Sequence, residues 1–88
     1  MDSVLISHLL FPVTSMSKLR PLSYREVIRK LKKLGFVFRR ATGGSHEIWW
    51  NEEKRKTCVV PHHKEIMTGT IRSILRQAEI TEQEFLKI

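Results

Sequence analysis

This chain is short of cysteine, of long apolar runs and of acidic residues where its basic ones gather, and each shortage excludes something. Cys58 is the single cysteine among 88 residues. No intramolecular disulfide can form, and a reducing compartment, most simply the cytoplasm, is the expected setting. No stretch of about 18 apolar residues occurs, which argues against a transmembrane helix and leaves no membrane partner to expect. Neither a C-x-x-C pair nor an H-E-x-x-H run is present, so Cys58 and the four histidines lack any recognised metal-ligand spacing. No metal and no other cofactor is expected. A chain of this length also cannot enclose a deep cavity, so any chemistry belongs at a surface groove or a strand end.

Positive charge is abundant. The net charge is +7, and it is concentrated: between Lys18 and Arg40 nine basic residues stand against Glu26 alone. A polyanion is therefore the first partner to consider, and an anionic surface or a nucleic-acid backbone would meet the protein along that segment. The residues before Lys18 stand apart. VLISHLLFPV is apolar, but Asp2 precedes it without any Lys or Arg, and no A-x-A-like cleavage site follows, which argues against a secretory signal. Met16 stands just before SKLRPLS, where the folded pattern begins. Residues 1–17 are expected to be a flexible N-terminal extension, with residues 1–15 dispensable and Met16 a candidate start, and residues 18–88 a single domain.

Within that domain LSYREVIRKLKKLG predicts a helix with both ends marked. Ser23 and Glu26 have capping-box spacing, and Gly35 supplies a left-handed stop. Tyr24, Val27, Ile28, Leu31 and Leu34 fall on one stripe, with Arg25, Arg29, Lys32 and Lys33 opposite. FVFRRA, SHEIWW and RKTCVVP predict three strands; Gly43-Gly44 would allow a tight reversal between the first two that other residues would resist, and a polar loop from Asn51 to Lys54 joins the next pair. Loops this short imply an antiparallel meander. TGTIRSILRQAEI predicts a second helix burying Ile71, Ile74, Leu75 and Ala78, with Thr68 or Thr70 as its cap. Thr81 and Glu84 repeat the capping-box spacing before a short terminal helix. The order α-β-β-β-α is that of the double-stranded-RNA-binding domain, an α+β fold with a three-stranded antiparallel sheet and both helices on one face.

TGGSHEIWW, residues 42–50, holds the residues with the most chemical promise. His46 titrates in the range that suits proton transfer near neutral pH. Gly43 and Gly44 can bring backbone amides close to a phosphate, Ser45 adds a hydroxyl, and Arg39 and Arg40 offer charge to it. The same residues also read as an ordinary hairpin with a histidine at its exposed edge. His63 and Lys64 are candidates for a second proton carrier or phosphate contact, and Arg29 and Lys33 for contacts along the first helix. Trp49 and Trp50 point to opposite faces of a regular strand, so at most one belongs to the core, and the other is available to stack on a base, cover the sheet or dock a protein partner. Strand parity leaves a question open. His46, Ile48 and Trp50 share a face, and a buried Ile48 would turn His46 inward unless a bulge or the strand end frees it.

From about Leu22 to Leu86 the runs GGSHEIWW, VVPHH, GTIRSILRQAEI and TEQEFL together resemble the HicA (YcfA-like) toxin family. The resemblance implies a small toxin of a type II toxin-antitoxin system, an mRNA interferase (endoribonuclease, a hydrolase) on the same double-stranded-RNA-binding-like fold. Its partners would be mRNA or other RNA and a HicB-like antitoxin that covers the active site. By the same resemblance the toxin is a monomer when free and part of a hetero-oligomer with its antitoxin. The catalytic histidine of the family's G-S-H motif falls on His46, and the preceding glycine and serine fall on Gly44 and Ser45. Glu79 stands where the family often has a glycine, a departure expected to affect only helix termination. The competing expectations are a non-catalytic RNA-binding module of double-stranded-RNA-binding type and a protein-interaction domain anchored by the tryptophans.

Overall fold

A computed structural model describes residues 18–88, so the expected extension lies outside the described residues. A two-residue strand, β1 (Leu22–Ser23), leads directly into helix α1 (Tyr24–Lys33). Ser23 caps that helix, its hydroxyl accepting from the Glu26 amide at 3.1 Å. The capping box is only half formed, because the Glu26 carboxylate turns to Arg29 at 2.6 Å. Gly35 ends the helix with φ +94°, a backbone that side-chain-bearing residues resist.

Strands β2 (Phe36–Ala41), β3 (His46–Asn51) and β4 (Lys56–Pro61) follow as an antiparallel meander in that spatial order. The register pairs Trp49 with Phe38 on one side and Cys58 on the other. A bulge interrupts β2 between Phe38 and Arg40. After β4 the chain forms β5 (Glu65–Ile66), which pairs antiparallel with β1, Leu22 opposite Ile66. This clasp holds the start of α1 against the segment leaving the sheet, and the Tyr24 amide adds a bond to the Lys64 carbonyl at 3.2 Å. Strands of two residues carry no periodicity and leave no mark in the sequence.

Helix α2 (Thr68–Ala78) is capped by Met67 without any side-chain bond, so neither Thr68 nor Thr70 takes the capping role expected of it. It ends at Glu79, which adopts the left-handed conformation at φ 56° usually left to glycine. Helix α3 (Glu82–Leu86) carries the complete Thr81–Glu84 capping box.

The α-β-β-β-α order and its α+β, double-stranded-RNA-binding-like arrangement are present as expected. Both helices contribute to one core: Val27 and Leu31 from α1 and Ile71, Ile74, Leu75 and Ala78 from α2 enclose Phe36, Trp49, Cys58 and Val60 of the sheet. Phe85 of α3 closes one end, and burying such a side chain is worth about 2 kcal/mol. Lys30 is the charged residue on the buried side of α1, with Val27 and Leu31. It is 7% exposed, its ammonium donates to the carbonyls of Phe85 at 2.9 Å and Ile88 at 3.0 Å, and desolvation, then neighbouring Arg29, lowers its pKa. Among the described residues no helix is long and apolar enough to cross a membrane.

Candidate active site

Alternation along β3 settles the parity question. Glu47, Trp49 and Asn51 point to the helix-covered face and are buried, so His46, Ile48 and Trp50 belong to the uncovered one. Ile48 is only half-buried, and His46 is exposed without needing a bulge. Its imidazole makes no hydrogen bond among the described residues. His46 begins β3 opposite Pro61, the last residue of β4, so the segment carrying His62 and His63 leaves the sheet beside it.

Two clusters form at this sheet end. In the first, Ser45 Oγ lies 3.0 Å from His63 Nε2, both side chains exposed next to His46. The Ser45 carbonyl also accepts from the His62 amide at 2.6 Å, which continues the β3–β4 pairing one step past Pro61. In the second, the Glu47 carboxylate is the hub. One of its oxygens accepts from the Tyr24 hydroxyl at 2.7 Å and the Trp49 indole at 3.1 Å, and the other lies 3.0 Å from His62 Nδ1. The Tyr24 and His62 rings stack at 3.8 Å, and burial, followed by the hydrogen bond to Glu47, pushes the Tyr24 phenol up to about 12. A carboxylate only 8% exposed is tolerable there because three donors replace its water. The adjacent histidines thus differ: His62 is held by Glu47 through Nδ1, whereas His63 faces Ser45.

The loop from Thr42 to Ser45 is closed by Thr42, whose amide donates to the His46 carbonyl at 3.0 Å. Neither Gly43 nor Gly44 has a left-handed φ, and a Cβ on either would meet nothing within 4 Å. The turn therefore does not itself require glycine, contrary to the expectation of a reversal that other residues would resist. What the two glycines leave is an uncrowded backbone beside His46.

Arg39, Arg40, Lys33 and Lys64 are all exposed. Arg29 is not free in the same way, since it grips Glu26 through two nitrogens and reaches the Ile88 carbonyl at 3.2 Å. No group of three or more His, Cys, Asp or Glu side chains among the described residues is arranged to hold a metal. Tyr24, Glu47 and His62 are the site residues that reading the sequence missed. Strand parity carried a signal for Glu47 alone, which must point inward if Trp49 is the core tryptophan; nothing in the sequence named Tyr24 and His62 as its partners.

Compared with known families, residues 24–80 match the sequence model described as HicA toxin of bacterial toxin-antitoxin. The matched region runs from the first residue of α1 to just beyond α2 and includes both clusters. No curated protein matches the chain.

Proposed function

The chain belongs to the HicA toxin family of bacterial toxin-antitoxin systems, and from that premise we propose that it is a metal-independent endoribonuclease acting on mRNA and held in check by a HicB-like antitoxin. A toxin of such a system has an antitoxin partner; the identity of that partner and the reaction are the proposal. The observation that carries it is the exposure of His46 on the uncovered sheet face, without an internal partner, beside the Ser45–His63 pair.

The reaction needs no group beyond the chain and its RNA. The ribose 2′-hydroxyl attacks the adjacent phosphorus, an O2′–P bond forms, and the P–O5′ bond breaks to leave a cyclic phosphate and a free 5′-hydroxyl. One proton leaves the attacking hydroxyl and one joins the departing oxygen. His46 handles one of these transfers and His63, poised by Ser45, the other, with such a group worth about 10² to 10⁴ in rate. The open backbone at Gly43 and Gly44 gives the phosphate room to approach its amides. Arg40, opposite Ile48 and so the nearer of the two arginines to His46, offsets the charge that builds on the phosphate in the transition state.

The test pairs expression with cleavage. Wild-type chain arrests growth, co-expression with a neighbouring HicB-like protein restores it, and His46→Ala arrests nothing while retaining its circular-dichroism spectrum. Purified protein cleaves RNA undiminished in excess EDTA. RNA binding without cleavage by the wild type would instead identify a binding module, and wild-type cleavage by His46→Ala would remove His46 from the chemistry.

A further inference from the structure

The sheet face away from the helices carries an unusual grouping. A regular strand sends neighbouring side chains to opposite faces, yet Arg39 and Arg40 share this one. Arg40 stands opposite Ile48, and the bulge before it lets Arg39 lie over Trp50, its guanidinium 4.9 Å from the ring centroid. Neither arginine has a carboxylate partner among the described residues. Arg55 approaches the same ring at 5.8 Å, while Glu52 holds the indole N–H at 2.9 Å. The indole is thus held at its edge while the two guanidinium groups lie against the ring. Val37, 57% exposed, stands opposite Trp50, and half-buried Ile48 and Val59 continue the apolar floor toward His46.

We infer that this uncovered sheet face is the track for single-stranded RNA, in which a base stacks on Trp50, Arg39 and Arg40 hold the flanking phosphates, and the strand runs along β3 to His46. The inference rests on the ribonuclease reading of His46 and adds where its substrate lies. Trp50 is four residues from His46 on the same strand, about 13 Å at the usual strand rise, a span that an extended single strand covers in a few nucleotides. Aromatic platforms interleaved with cations are what sequence-tolerant single-strand binding uses. Arg39 then plays two parts: it covers the ring in the free protein and moves to a phosphate when a base replaces it. The two unpaired arginines and the continuity with His46 favour RNA over a protein segment on this face.

An uncleavable probe separates binding from turnover, because a 2′-O-methyl oligoribonucleotide lacks the attacking hydroxyl. Its binding to the full chain is measured by tryptophan fluorescence across a salt series. Wild type binds with quenching, and Trp50→Leu weakens binding about tenfold without changing the salt slope. Trp50→Phe keeps most of the affinity. Arg39→Ala/Arg40→Ala lowers the slope of log affinity against log salt by about 1.4. These arginine side chains are exposed, so that variant folds whatever becomes of Trp50 variants. Affinities within twofold of wild type in both Trp50→Leu and the double variant would overturn the track, as would loss of antitoxin binding with RNA binding intact. In those two cases cleavage of natural RNA by the wild-type chain leaves the ribonuclease reading standing. Absence of both binding and cleavage in the wild type would overturn the two together.

Discussion

Glu47 reaches His62 Nδ1 at 3.0 Å from a buried position on the helix-covered face of the sheet. The same carboxylate takes the Tyr24 hydroxyl and the Trp49 indole, so it joins α1, β3 and the segment after β4 at one point. Replacing it with alanine strands the buried Trp49 indole and takes the acceptor from the half-buried Tyr24 hydroxyl. Glu47→Ala is expected to lower stability by about 3 kcal/mol in urea unfolding, with Glu47→Gln costing less because an amide oxygen still accepts. Equal stability of wild type and Glu47→Ala would show that the network adds nothing.

Two adjacent histidines then serve different ends. His62 is tied to Glu47 and stacked on Tyr24, whereas His63 meets Ser45 beside His46. Under the proposed chemistry His63→Ala loses about 10² or more of the RNA-cleavage rate, as befits a proton carrier. His62→Ala keeps its rate within a few-fold at a temperature where the fold is intact. Single-turnover cleavage of one RNA by the two variants decides the matter; a reversed order would exchange the roles.

Tyr24 makes the same network sensitive to alkali. Its phenol lies near 12 in the folded protein against 10.0 for the free side chain, so the folded state holds this proton more tightly than the unfolded chain does. The stability it contributes is complete below pH 10 and is lost as the pH rises toward 12. Cys58, pushed by burial from 9.0 to about 12, adds loss over an overlapping window that starts about one pH unit lower. Tyr24 is the only tyrosine, so ultraviolet titration reads it without interference. A phenolate midpoint near 10 in folded protein would show that the hydroxyl is not held. Tyr24→Phe should flatten the fall in melting temperature above pH 10 without removing the Cys58 part.

The elements that could be read from sequence are those whose burial repeats along the chain. The stripe Val27, Leu31 and the set Ile71, Ile74, Leu75, Ala78 mark their helices because one face of each must meet the core. Thr81 and Glu84 mark α3 because a capping box is a local bond pattern. His46 stood out through the glycines and serine before it, but its orientation did not, since the parity of β3 depends on which tryptophan is buried. The Glu47–His62–Tyr24 cluster could not be read at all without the β1–β5 clasp, which brings residues far apart in sequence together through strands too short to show a pattern. Lys30 was hidden for a related reason: its partners are carbonyls at the end of the chain, which carry no side-chain signature.

Gly35 offers the sharpest test of local geometry. Its φ of +94° excludes a comfortable side chain, and a Cβ there would stand 2.9 Å from Asn51 Nδ2. That nitrogen is engaged, since it donates to the Leu34 carbonyl at 2.9 Å while Asn51 Oδ1 accepts from the Lys54 amide at 2.8 Å. One asparagine therefore joins the end of α1 to the β3–β4 turn, and a methyl group on residue 35 pushes it away. Backbone strain of about 1 to 2 kcal/mol and one lost hydrogen bond worth about 1 kcal/mol put Gly35→Ala at roughly 2 to 3 kcal/mol of lost stability. The two parts separate in the Asn51→Ala background, where the crowding is gone and only the strain remains. Gly35→Ala should cost about 1 kcal/mol less there than in the wild type, a coupling within reach of a double-mutant cycle by urea unfolding. Strict additivity would mean that Asn51 yields freely, and that the helix end and the hairpin are not joined through it.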